Sequence, residues 1–139
     1  MRNVLVAVVV LLSVFWAAGA WAQFKDGLWE ITTQVEIKGM KQQMPPATFR
    51  QCITKSDPVV KNQDKNYECK TTHLNTSGNT VTYAVECKGK EGAMFSEGKN
   101  TYTGGTMEGS ATTSFKMKGQ PAMQTISRMK GKYIGACPK

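Results

Sequence analysis

Two patterns of hydrophobic and polar positions divide the chain. From Val4 to Ala18 every residue is apolar except Ser13, and this run follows Met1-Arg2-Asn3. From Gly27 onward apolar and polar residues alternate. Trp29, Ile31, Thr33, Val35 and Ile37 fall on one side, while Glu30, Thr32, Gln34 and Glu36 fall on the other. A period of two is that of a half-buried strand, so the first strand is predicted over 27–37. Gly39, Pro45 and Pro46 break the pattern, and a second strand is predicted over 48–53. Thr54-Lys55-Ser56-Asp57 reads as a turn, or as the cap of one short helical piece through Val60. Further strands are predicted over 67–75, 80–87, 94–102, 106–118 and 122–134.

The punctuation between these runs is of the kind that hairpins need. Thr76-Ser77-Gly78-Asn79 carries a Gly-Asn pair that tolerates the positive φ of a tight turn. Gly104-Gly105 and Gly119-Gln120-Pro121 mark two more turns. If the last of these closes a hairpin, Met117 is expected near Met123 and Phe115 near Thr125. The fold class expected is all-β: a single antiparallel curved sheet, a small barrel-like or sandwich domain of about six to eight strands, preceded by a cleaved signal helix.

The leading apolar run matches the h-region of a secretory signal peptide. Ala20-Trp21-Ala22 supplies the small-x-small pattern of a cleavage site, so residues 1–22 are expected to be removed and 23–139 to form one domain. An uncleaved anchor is the competing reading, since a membrane span needs roughly 20 apolar residues. No basic stop-transfer cluster follows at once, so no stable transmembrane anchor is expected after cleavage. The expected location is the periplasm or the exterior.

Four cysteines, Cys52, Cys69, Cys87 and Cys137, all follow the cleavage site. An even number in a small exported chain reads as a disulfide framework, and four cysteines allow three pairings. The preferred pairing joins Cys52 to Cys69 and Cys87 to Cys137, which ties down an early loop and clamps the tail to the middle of the sheet. The spacings include no C-x-x-C, and His73 is the only histidine, so no metal site and no cofactor are expected.

Charge is unevenly placed. All ten acidic residues lie at or before Glu108, whereas Lys116, Lys118, Arg128, Lys130 and Lys132 follow it. These five share even parity, so a regular hairpin places them on one surface, a candidate anion-binding face for anionic lipid or lipopolysaccharide. The plainer reading is a solvated face whose lysines protect a sheet edge from aggregation. Nucleic acid is a poor partner, because no aromatic side chains interleave with the basic ones. Phe115, Met117, Met123 and Met129 have odd parity and form a candidate apolar-ligand face, since flexible thioethers suit variable apolar ligands. They suit an irregular core equally well. Met40 and Met44 are too sparse a pair to hold copper.

No catalytic residues are assigned. There is no G-x-S-x-G turn, no second histidine, and no paired acid and base among Asp26, Asp57 and Asp64. The expectation is a non-enzymatic binding module, or else a structural or inhibitory domain that acts on another envelope protein.

Several short motifs occur in a fixed order: Gly27-Leu28-Trp29-Glu30, Met44-Pro45-Pro46, Gln51-Cys52-Ile53-Thr54, Glu68-Cys69-Lys70, Ser77-Gly78-Asn79-Thr80-Val81 leading to Cys87, and Ile134-Gly135-Ala136-Cys137. Together they resemble a family of small exported bacterial proteins known as domain of unknown function 3617. The resemblance spans nearly the whole of 23–139. It implies an exported bacterial origin and a shared cysteine framework, and it brings no activity, cofactor or site residue.

Overall fold

The alternation that begins at Gly27 becomes a strand because every second side chain finds the same apolar interior. The computed structural model describes residues 24–139. Seven strands form: β1 (Gly27–Ile37), β2 (Ala47–Ile53), β3 (Tyr67–Ser77), β4 (Thr80–Gly89), β5 (Gly92–Thr103), β6 (Thr106–Met117) and β7 (Met123–Gly135). The segment 1–22, expected as a signal peptide, lies outside the described residues.

All seven strands pair antiparallel in one sheet of order β2-β1-β7-β6-β5-β4-β3, curled into a half-barrel. Strands β3 to β7 form a plain meander. The first strand then docks on the last, with Trp29 opposite Tyr133 and Thr33 opposite Met129. Tight turns make this topology local. Gly78 has φ of +60° between Ser77 and Thr80, and no non-glycine residue among those described has positive φ. Positive φ at the first central position alone is the pattern of a type II′ turn, which matches the right-handed twist of the flanking strands.

One connection cannot be local. β2 and β3 are opposite edges of the sheet, so residues 54–66 must travel from one edge to the other. They do so as a strap across the concave side. Val59 is buried in the core, and the Tyr102 hydroxyl donates to the Pro58 carbonyl at 2.8 Å. Gln51 holds the strap from the other side with both ends of its carboxamide. Its Nε2 donates to Val59 O at 2.9 Å, and its Oε1 accepts from Lys61 N at 2.9 Å. One side chain thereby replaces two rungs of a ladder.

The core sits at one end of the half-barrel. Trp29, Ile31, Ile53, Val81, Tyr102 and Met107 are fully buried there. Trp29 meets Tyr102 and Tyr133 edge to face, at centroid distances of 5.4 and 5.9 Å, and Phe24 closes on Tyr102 at 4.4 Å. Such edge-on contacts set the positive rim of one ring against the negative face of another.

Two expectations require correction. The disulfides join Cys52 to Cys137 and Cys69 to Cys87, with Cα separations of 5.6 and 4.0 Å. Cys69 and Cys87 are direct cross-strand partners in β3 and β4. Cys52 and Gly135 both lie opposite Leu28, on either side of β1, so the tail just after β7 reaches β2 over the end of that strand. The pairing of Cys52 with Cys69 fails because β2 and β3 are opposite edges of the sheet.

The final hairpin is offset by two residues from the expected register. Phe115 faces Met123, and Thr113 faces Thr125. Gln120 N bonds back to Met117 O, Gly119 takes φ of +72°, and Pro121 has no N–H to give, so pairing with β7 stops before Met117. Beyond Phe115, β6 is carried by β5, where Met117 faces Gly92.

Of the two readings of 54–60, the turn is the one that forms. Asp57 N donates to both the carbonyl and the hydroxyl of Thr54, and Pro58, Val59 and Val60 then favour extended backbone.

Loosening the strap gives a first test. Tyr102→Phe leaves the buried Pro58 carbonyl without its donor, and Gln51→Leu removes two bonds at once. Each is expected to cost about 1–3 kcal/mol. Denaturant midpoints and faster amide exchange in 57–64 measure this; unchanged exchange there removes the clamp role.

Candidate functional site

The strand register arranges the concave side chains in successive rows. Nearest the core, Ile31, Gly131, Met107 and Tyr102 share a row. The next holds Thr33, Met129, Gly109, Asn100 and Val81, and the next Val35, Ser127, Ala111, Gly98 and Tyr83. Then come Thr125, Thr113, Ser96, Val85 and Thr71, and last Met123, Phe115, Met94, Cys87 and Cys69. Between the aromatic core and the outermost row small residues predominate, among them Gly109, Ala111, Gly98, Ser127 and Ser96, and a groove of about 890 Å³ remains between the sheet and the strap.

All four residues of the predicted apolar face line this groove: Phe115, Met117, Met123 and Met129. Phe115 and Met123 are direct partners, and Met129 is buried at the inner end. Face assignment survives the register correction because a shift of two residues restores the same side of the sheet. Reading the sequence missed the opposite wall, made by Val85, Met94 and Tyr83, and the strap residues Val59 and Val60. Its signal was present in part: Val81, Tyr83 and Val85 recur with a period of two in β4 beside Thr80, Thr82 and Glu86, with Ala84 the one apolar residue between them.

Two glycines inside strands mark the inner end. A Cβ on Gly98 would run into the Tyr83 ring, and one on Gly109 into the Asn100 carboxamide. Glycine within a strand marks such close approaches. Asn100 is fully buried, and neither its Oδ1 nor its Nδ2 has a hydrogen-bond partner among the described residues. An unpaired buried amide costs about 1–3 kcal/mol.

The carboxamide lies close to two phenols without reaching hydrogen-bond geometry with either. Burial pushes the Tyr83 phenol up to about 12, and the nearby Asn100 offsets part of that rise. Burial raises Tyr102 further, with Asn100 again opposing it and Tyr83 adding to it. Both phenols are therefore neutral in the ordinary pH range, and the inner end of the groove is a poorly solvated environment.

The five predicted basic residues lie on the convex face and are exposed. Acids from neighbouring strands lie among them. Arg128 pairs with Glu36 at 3.3 Å, Lys130 faces Glu108 across the ladder, and Lys132 faces Glu30. The sequence concentrates positive charge in β6 and β7, whereas the sheet flanks that pair with β1 and β5, and β1 brings Glu30 and Glu36 beside β7. His73 sits at a bulge in the edge strand β3, and Met40 and Met44 are exposed in the loop between β1 and β2. Among the described residues no group of three or more His, Cys, Asp and Glu side chains is placed to hold a metal ion.

Two disulfides in a chain this small are the signature of an oxidising compartment. No curated protein and no solved structure matches the chain. A family model described as "Protein of unknown function (DUF3617)" matches residues 24–137, which takes in all seven strands and both disulfides, and the chain therefore belongs to the DUF3617 family.

Proposed function

We propose that this protein is an exported binding module without enzymatic activity, working in the periplasm or outside the cell, whose groove takes a small apolar ligand. The observation that carries this reading is the groove itself. Its 890 Å³ falls within the roughly 300–1,000 Å³ typical of small-molecule sites. Its walls combine adaptable methionines with a few hydroxyls, among them Ser96 and Thr113 bonded to each other at 2.7 Å. Methionine conforms to ligands of differing outline. The apolar run from Val4 to Ala18 with Ala20-Trp21-Ala22 behind it, and the oxidising setting of the cysteines, support export.

The neutral fluorophore N-phenyl-1-naphthylamine tests the reading. The wild type is expected to bind it at one saturable site. Phe115→Asp and Met123→Asp place a charge in the groove and are expected to weaken binding about tenfold or more, with little change in stability because both positions are partly exposed. Neutralising Lys116, Lys118, Arg128, Lys130 and Lys132 together is expected to leave it unchanged. Absence of saturable binding, or indifference to both groove substitutions, overturns the proposal.

A further inference from the structure

The inner end of the groove also says what kind of molecule suits it. Tyr83 lines the groove and lies flat over Gly98, and Asn100 stands in the next row inward, in the space left by Gly109. Tyr102 has committed its hydroxyl proton to Pro58, so Tyr83 is the phenol of the two that faces the groove. Asn100, fully buried one row behind the groove lining, holds an unpaired donor and an unpaired acceptor next to Tyr83. The charged side chains lining the groove, Asp57, Lys61 and Asp64, all belong to the strap, and Asp57 and Lys61 pair with each other. No cation stands near Tyr83 and Asn100 among the lining residues, so a buried anionic head would have no counter-charge there.

Resting on the reading of the groove as an apolar-ligand site, we propose that its ligand carries an uncharged head that both donates and accepts hydrogen bonds, as a carboxamide does. That head is seated at Tyr83 and Asn100, and its apolar tail runs outward over Val85, Met94, Phe115 and Met123. An amide head can satisfy the Asn100 oxygen and nitrogen together, which an ether, ester or ionised carboxylate cannot. Reaching Asn100 requires the Tyr83 or Met129 side chain to yield slightly, and methionine does so at small cost.

Displacement of N-phenyl-1-naphthylamine by decanamide, decanoate and decane tests this, at about pH 8 so that the acid is ionised. The wild type is expected to prefer decanamide about tenfold over each of the others, the ratio that one to two added hydrogen bonds supply. Asn100→Leu and Tyr83→Phe are each expected to cut that preference to about threefold or less and leave displacement by decane unaltered. Because the preference is a wild-type ratio, it stands even if the Asn100 variant folds poorly, and Tyr83→Phe supplies an independent readout. Fluorophore and decane binding with no preference for the amide overturns the head-group proposal and leaves the groove reading intact. A preference that survives Asn100→Leu removes Asn100 from the site. No binding of the fluorophore at all overturns the groove reading, and this inference with it.

Discussion

Replacing Cys52 and Cys137 together by serine is expected to lower the unfolding free energy by about 4–5 kcal/mol, against about 3 kcal/mol for the Cys69/Cys87 double variant. The ordering follows from how much chain each bridge restrains in the unfolded state: sequence separations of 85 and 18 residues. The longer bridge confines most of the domain, whereas the shorter one confines a single hairpin. Domains of this size are stable by about 5–15 kcal/mol in all, so the first variant removes a large share. Denaturant unfolding of the two serine pairs beside the oxidised wild type provides the measurement. Equal midpoints would mean that restraint of the unfolded chain is not what the Cys52–Cys137 bridge supplies. Peptide mapping without reduction should recover Cys52 and Cys137 in one linked fragment.

Trp29→Ala is the second large effect, at about 3–5 kcal/mol. Trp29 is fully buried, contacts Tyr102 and Tyr133 edge to face, and donates its indole N–H to Lys25 O at 3.0 Å. Truncation leaves a void where four segments meet: β1, β5, β7 and the residues before β1. Trp29→Phe keeps most of the apolar volume and is expected to cost less than half as much, losing chiefly the bond to Lys25. Circular dichroism during denaturation measures both, and similar costs for the two variants would place the importance of Trp29 in its N–H. In a chain beginning at Gln23, Trp29 is the only tryptophan, so wild-type fluorescence reports on this end of the half-barrel directly.

Features that depend on neighbours one or two residues apart were legible in the sequence. The bounds of β1 match the predicted ones because its alternation runs unbroken from Trp29 to Ile37. The Gly78 turn was legible from its two residues, and the groove-facing parity of Phe115, Met117, Met123 and Met129 from the period of two. What depends on distant strands was not. The cysteine pairing follows from β1 lying between β2 and β7, which no local pattern reveals. The charge of the convex face follows from Glu30, Glu36 and Glu108 being brought beside lysines and an arginine far along the chain. Asn100 looked like an ordinary polar strand residue. It is the absence of a Cβ at Gly109 that gives it room inside.

The docking of the first strand on the last also dictates an order of events. Leu28 lies opposite Gly135, so the ladder between β1 and β7 cannot close until β7 has been made to its end. The β3 to β7 meander, by contrast, can assemble from adjacent segments, and its Cys69–Cys87 bridge can form early. Topologies dominated by such distant pairings fold slowly, over milliseconds to seconds. Cys52 therefore has no native partner until Cys137, 85 residues further along, has been made. A chain that stops short of Cys137 leaves Cys52 on β2 without its native partner, so the state of that one sulfur distinguishes a truncated molecule from a whole one.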